Sequence, residues 1–187
     1  MTVRDTLMKL FSFSKDSLEA LEPLFELKCF PKKSIILQEN APDYYLYIVE
    51  KGIVRSYIQR AGKESTLYFA QENDVALSSP SLDRVQNASF ALEASEEVLL
   101  WSIKRSELAE LFKNSLELAN WGRIVSERFF TFSCFYYTDI FWMSKREQYL
   151  HLLKYAPHLI QRLPQKDLAS WLDITPQSLS RIRANLD

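Results

Sequence analysis

FPKKSIILQENAPDYYLYIVEKGIVRSYIQRAGKESTLYFA, residues 30–70, carries short runs of alternating apolar residues separated by turn residues. A period of two puts one side of a strand into a core, and regular interruptions point to several antiparallel strands. Ile35 with Leu37, Tyr45 with Tyr47, and Val54 with Tyr57 and Ile58 mark three of them. Turns fall at Asn40 to Asp43, at Lys51-Gly52 and at Ala61-Gly62-Lys63, where glycine supplies the positive φ such turns need. With Phe90 to Glu93 and Val98 to Ile103 as later strands, a double-sheet, jelly-roll-like β-roll is predicted. A second β-rich class fits the same strands, so periodicity alone leaves the topology open.

At the far end, QKDLASWLDITPQSLSRIRANL (165–186) reads as two short helices joined by a tight turn. Leu168, Ala169 and Leu172 form one apolar stripe, and Leu179, Ile182 and Leu186 another, at helical offsets. Ile174 plugs the corner between them. Thr175 followed by Pro176 starts the second helix, since the hydroxyl accepts a first-turn N–H and proline at the first helical position loses no needed donor. The pattern resembles the helix-turn-helix family of DNA readers. One position departs from it: the turn holds Asp173 where glycine is usual, and aspartate tolerates a left-handed backbone at modest cost. Gln177 and Arg181 share a face and suit adenine and guanine edges, while Thr175, Ser178 and the helix start suit phosphates. The expected DNA-binding set is Gln165, Thr175, Pro176, Gln177, Ser178, Ser180, Arg181 and Arg183. The plainer alternative is two amphipathic helices that only complete a core.

The succession of these segments resembles the Crp/Fnr family of bacterial transcription regulators across nearly the whole chain. FPKKSIILQENAPDYYLYIVEKGIVRSY and AGKES carry the likeness, with Tyr47, Gly52 and Gly62 where that family has an aromatic strand residue and turn glycines. The resemblance implies double-stranded DNA and a second copy of the chain as partners, RNA polymerase as a further one, and a cyclic-nucleotide cassette in the roll. That cassette is Gly-Glu-Leu opening a short helix, followed by Arg-Ser or Arg-Thr to neutralise the phosphate. Here Ala76 and Leu77 occupy the neighbourhood of the first pair, and Asn87, Ala88 and Ser89 that of the second. Without that cation a buried phosphate is costly, so a degenerate effector pocket and no bound cyclic AMP or GMP are expected. Arg84 falls several residues early for a substitute.

Between roll and terminal helices, residues from Glu107 to about Tyr137 contain no proline, and Leu118, Trp121, Val125, Phe129, Phe132 and Tyr136 recur at alternating steps of three and four. This predicts one long helix whose stripe is the dimer interface, followed by a hinge at 138–143 and a helix from Lys145 capped by Ser144 and ending before Pro157. The expected fold is α+β. It comprises a helical lead-in and β-roll (1–106), a long dimerisation helix with its hinge (107–143) and a helix-turn-helix domain (144–187). Relatives commonly continue into a β-hairpin wing, whereas this sequence ends at Asp187, so wing contacts are expected to be absent.

Composition narrows the classes. Net charge is −1 overall, yet residues 144–187 hold seven Lys and Arg against four Asp and Glu, an excess of +3 that leaves −4 on the rest. No segment approaches the apolar length of a membrane span, the N-terminus lacks a signal-peptide pattern, and few cysteines agree with a cytoplasmic protein. Cys29 and Cys134 read as two buried thiols, too few for an iron–sulfur cluster. His151 and His158, seven apart in a helical context, read as ordinary histidines rather than metal or haem ligands. No cofactor and no metal are expected. Phosphate-cradling and nucleophile motifs are missing, which argues against an enzyme. The alternative to a DNA-binding regulator is a ligand- or protein-binding roll module with reduced or lost DNA binding.

Overall fold

The computed structural model describes residues 2–78 and 82–185. They fall into two compact units, residues 1–58 with 68–128 and residues 59–67 with 129–187.

The first unit opens with α1 (Val3–Leu10) and α2 (Lys15–Leu21). Thr2 caps α1 by accepting the Asp5 N–H, and the Asp5 carboxylate accepts the Thr2 N–H in return. These bonds from Thr2 hold the Asp5 carboxyl below its ordinary range. Among the described residues ten strands follow: β1 (Glu26–Phe30), β2 (Ile35–Leu37), β3 (Pro42–Asp43), β4 (Tyr45–Lys51), β5 (Val54–Arg60), β6 (Lys63–Ala70), β7 (Val75–Ala76), β8 (Gln86–Asn87), β9 (Ala91–Ala94) and β10 (Val98–Lys104). One sheet runs β1-β10-β4-β7, the second β2-β9-β5-β6, and β3 pairs with β8. Val49, Val54, Leu92, Ala94, Val98 and Leu100 meet between them and are buried. At the β4–β5 turn Gly52 has φ +96°, and a Cβ there would lie 2.6 Å from the Glu97 carbonyl oxygen. A side chain is excluded by both backbone and space.

The long helix expected from Glu107 is two helices, α3 (Arg105–Asn114) and α4 (Leu116–Phe135). Ser115 between them is extended, at φ −137° and ψ 114°. Asn114 and Ser115 are the cause, because both side chains compete with the helix for backbone partners. Asn114 Nδ2 donates to the Glu110 carbonyl at 2.8 Å, and Ser115 Oγ accepts the Leu118 N–H at 3.3 Å to start α4. The two helices approach closely at Gly122, where a Cβ would stand 2.6 Å from the Phe112 ring.

In the second unit α4 ends in a π-helical turn, Tyr136–Ile140. Ser144 then caps α5 (Lys145–Tyr155) in a reciprocal arrangement with Glu147, as the sequence indicates. Pro157 opens α6 (Pro157–Arg162), a helix the sequence reading passed over. Pro157 separates His151 and His158 onto different helices. Two helices close the unit, α7 (Gln165–Trp171) and α8 (Pro176–Ala184), and Tyr149, Leu159, Leu163, Leu168, Leu172 and Leu179 form its buried interior. Leu186, the last residue of the expected α8 stripe, lies outside the described residues.

Candidate nucleic-acid interface and roll interior

The turn between α7 and α8 is built from small and polar residues. Ala169 is fully buried where the helices meet, Asp173 adopts φ +51°, and the Ile174 N–H donates to the Ala169 carbonyl at 2.9 Å. The left-handed conformation at Asp173 is the one a glycine usually supplies. Thr175 Oγ1 accepts the Ser178 N–H at 3.1 Å, which fixes where α8 begins.

Eight residues were expected to face DNA, and the structure divides them. Thr175, Pro176, Gln177 and Arg181 are exposed, and Gln177 and Arg181 stand one helical turn apart. Ser178 is half-buried, its hydroxyl 3.0 Å from that of Thr175. Gln165 and Ser180 are exposed but committed to each other at 2.5 Å, and both also donate to the Pro176 carbonyl. Arg183 turns inward. Its Nε donates to the Tyr149 hydroxyl at 3.0 Å and its guanidinium lies over the Tyr149 ring, so it braces α8 on α5 instead of projecting outward.

The first half of the expected dimer stripe is covered within the first unit. Leu118, Trp121 and Val125 are buried, with Trp121 edge-on to Phe13 and Phe112 at 5.7 and 6.3 Å. Phe129 and Tyr136 are half-buried, and Phe132 is exposed. The physical reason is that Phe112 of α3 and Phe13 of the loop between α1 and α2 present aromatic surface to this face. The opposite face carries Leu116, Arg123, Glu127, Phe130, Cys134 and Tyr137, all exposed, with Phe130 at 70% and Tyr137 at 65%. Cys29 and Cys134 are both exposed, contrary to the expectation of two buried thiols.

In the roll interior, Ala76, Leu77 and Ala88 are buried while Asn87 and Ser89 are exposed. Sequence reading missed Tyr68. Its hydroxyl accepts the Leu77 N–H at 2.7 Å and donates to the Leu77 carbonyl at 2.5 Å. Burial pushes this phenol far above the usual tyrosine range, so it stays a donor. The ring meets Phe90 edge-on at 6.0 Å and packs on the core. The backbone N–H of Leu77, in the stretch where a bound phosphate would seek donors, is therefore occupied by the chain itself. Arg55, also missed, is buried but alternates with the core residue Val54 along β5 and pairs across the ladder with Glu93, at 3.7 Å. It belongs to the outer face of that sheet.

Asp43, Ser78 and Arg105 form a third buried group. Arg105 Nη2 and Ser78 Oγ both donate to Asp43 Oδ2, and Arg105 Nη1 donates to the Leu82 carbonyl at 2.9 Å. The group ties the cassette-equivalent segment to the first turn of α3. The sequence carried no signal for it, because Arg105 in Lys104-Arg105-Ser106-Glu107 looks like a solvated helix start.

Residues 27–115 match the cyclic nucleotide-binding domain family. Solved structures similar to the chain include FixK2 of Bradyrhizobium japonicum, with a TM-score of 0.74, 19% identity and coverage of 87% of this chain and 84% of that one. The c-di-GMP responsive global regulator CLP of Xanthomonas campestris follows at 0.70 and 17% identity, covering 92% and 91%. A protein of Eubacterium rectale described as a transcriptional regulator of the Crp/Fnr family gives 0.71 and 20% identity, covering 93% and 85%. At these identities the likeness is one of fold. No curated protein matches the chain. Among the described residues no helix is long and apolar enough to cross a membrane, and no three His, Cys, Asp or Glu side chains gather as a metal site.

Proposed function

We propose that the chain is a DNA-binding transcription regulator working as a homodimer on an inverted-repeat site, with RNA polymerase as the downstream partner and a cyclic nucleotide-binding-type domain that does not answer to cyclic AMP or GMP. The observation that carries the DNA reading is the outward pair Gln177 and Arg181 on a helix whose start is capped by Thr175. An amide and a guanidinium one turn apart suit base edges in a major groove, and the helix N-terminus suits a phosphate. Arg181→Ala is expected to lower specific affinity by about 1–3 kcal/mol and to relax one base position. Binding-site selection with wild type and variant tests this. Identical consensus sequences from the two would remove Arg181 from the reading head.

For the dimer, the opposite face of α4 and of the turn after it takes the place of the buried half of the stripe expected from sequence. Leu116, Asn120, Arg123, Glu127, Phe130, Cys134 and Tyr137 repeat at steps of four and three, the period of a two-helix seam. Large apolar side chains at 70% and 65% exposure on one helix end favour a covering partner. In a parallel pair about a two-fold axis each seam residue meets its own copy, which brings two Cys134 thiols within the roughly 4.4–6.8 Å Cα separation a disulfide spans. Mild copper-phenanthroline oxidation of Cys29→Ser is expected to give a reducible covalent dimer, and Cys134→Ser to give none. A covalent dimer that persists in Cys134→Ser would place the contact elsewhere.

A second reading, a ligand- or protein-binding module with reduced DNA binding, draws on a groove of about 400 Å³ in the first unit, lined by Arg84, Gln86, Phe112 and Arg123. Salt-dependent binding of duplex DNA favours the regulator. Binding of a small metabolite without DNA affinity favours the module.

A further inference from the structure

Residues 59–67, the tip of the β5–β6 hairpin, belong to the second unit together with α7 and α8. The join is specific. The Thr66 N–H and the Thr66 hydroxyl both donate to Ser170 Oγ at 3.0 Å, and Ser170 Oγ donates to the Glu64 carbonyl at 3.0 Å. A serine hydroxyl has one proton to give and two lone pairs to fill, and here all three are used. Ala61 and Gly62, at φ 50° and 77°, make a tight turn that presents Arg60 and Lys63 on an exposed tip. Lys63 Nζ then reaches Asp173 Oδ1 at 2.9 Å.

Asp173 is the left-handed residue of the α7–α8 turn, two positions before the cap of α8. A carboxylate there repels the phosphates that a helix N-terminus attracts, and Lys63 supplies the opposite charge at that spot. The pair does little for stability, because its side chains are 67% and 66% exposed. Its value lies in the field it leaves at the start of α8.

We propose that the tip of the β5–β6 hairpin is part of the DNA-contacting surface, with Lys63 offsetting Asp173 and attracting backbone phosphate beside α8, and Arg60 adding to the same positive patch. The proposal rests on the regulator reading above. A segment contiguous with the roll's own strands thus contributes to the charge of the reading head.

Fluorescence anisotropy of the full chain on a selected duplex, over a series of salt concentrations, tests it. Lys63→Gln is expected to weaken binding about 3–10-fold near 0.15 M salt and to flatten the log K against log salt slope by about 0.9 per reading head, the value of one lost phosphate contact. Lys113→Gln is the control, since Lys113 is an equally exposed lysine in an ion pair with Glu110, in the other unit. It is expected to leave the slope unchanged. Wild-type affinity and slope in Lys63→Gln, or an equal loss in Lys113→Gln, would overturn the proposal while leaving the regulator reading intact. Absence of salt-dependent binding by the wild type would instead remove the regulator reading itself.

Discussion

Arg105→Ala is expected to destabilise the first unit by about 3–5 kcal/mol, the range for removing one partner of a buried ion pair. The side chain is fully buried, as is Asp43, and neither charge reaches solvent. Truncation leaves the Asp43 carboxylate inside without this guanidinium and deprives the Leu82 carbonyl of its donor at 2.9 Å. Three segments lose their common anchor, namely β3, the stretch around Ser78 and Leu82, and the start of α3. Urea denaturation followed by circular dichroism measures the effect. With a slope of about 1–3 kcal/mol per molar urea, the midpoint falls by at least about 1 M. The double variant Asp43→Leu with Arg105→Met provides the internal control, because an apolar pair of similar volume avoids desolvating charge and is expected to lie much closer to wild type. If the single variant unfolded at the wild-type midpoint, the pair would have no anchoring role.

What the sequence announced and what it concealed follow from how local each signal is. Turn residues and caps act over three or four positions, so Gly52, the Ser144–Glu147 box and the Thr175–Pro176 start were all legible. The strands β2, β4, β5 and β10 were legible for the same reason, through alternation within each segment. Asp173 in place of glycine was also readable, and its φ of +51° shows that the turn keeps its backbone shape. Contacts between distant segments left no such mark. Arg105 meets Asp43 across sixty-two residues, and Ser170 meets Thr66 across one hundred and four.

The α4 stripe shows the limit most clearly. Periodicity reported that Leu118, Trp121 and Val125 share a face, which they do, but not which surface covers it. Phe13 and Phe112 answer that question, and neither lies in the helix itself. The weaker repeat on the other side, interrupted by Asn120, Arg123 and Glu127, was masked by its own polarity. Among the DNA-facing candidates, Gln177 and Arg181 differ from Arg183 by a rotation of the helix that places Tyr149 within reach of only the last. Amino-acid type alone does not separate them.

Tyr68→Ala is expected to cost up to about 3–5 kcal/mol, the range for aromatic truncations in a core, since the half-buried ring packs on the core and its hydroxyl is bonded to the backbone. Part is lost packing against Phe90 and the core, and part is the Leu77 N–H and carbonyl left without the hydroxyl they share. Tyr68→Phe isolates the second part and is expected to cost about 1–3 kcal/mol, because the ring remains while two buried backbone groups lose a partner. The cavity in Tyr68→Ala also tests what the roll can hold. The vacated space adjoins Phe90 and the apolar core, with the Leu77 amide at one end and Ser56 beside it, and Asn87, Ala88 and Ser89 bring no cation. Phenol, which supplies the missing ring and hydroxyl atom for atom beyond Cβ, is expected to raise the melting temperature of the variant in a concentration-dependent way through binding to the folded state. Cyclic AMP is expected to have no such effect, since a buried phosphate without a counter-charge forfeits its hydration. Stabilisation of Tyr68→Ala by cyclic AMP at concentrations where phenol does nothing would show that Tyr68 conceals a working nucleotide site, and the roll would then be an effector domain held closed by its own tyrosine.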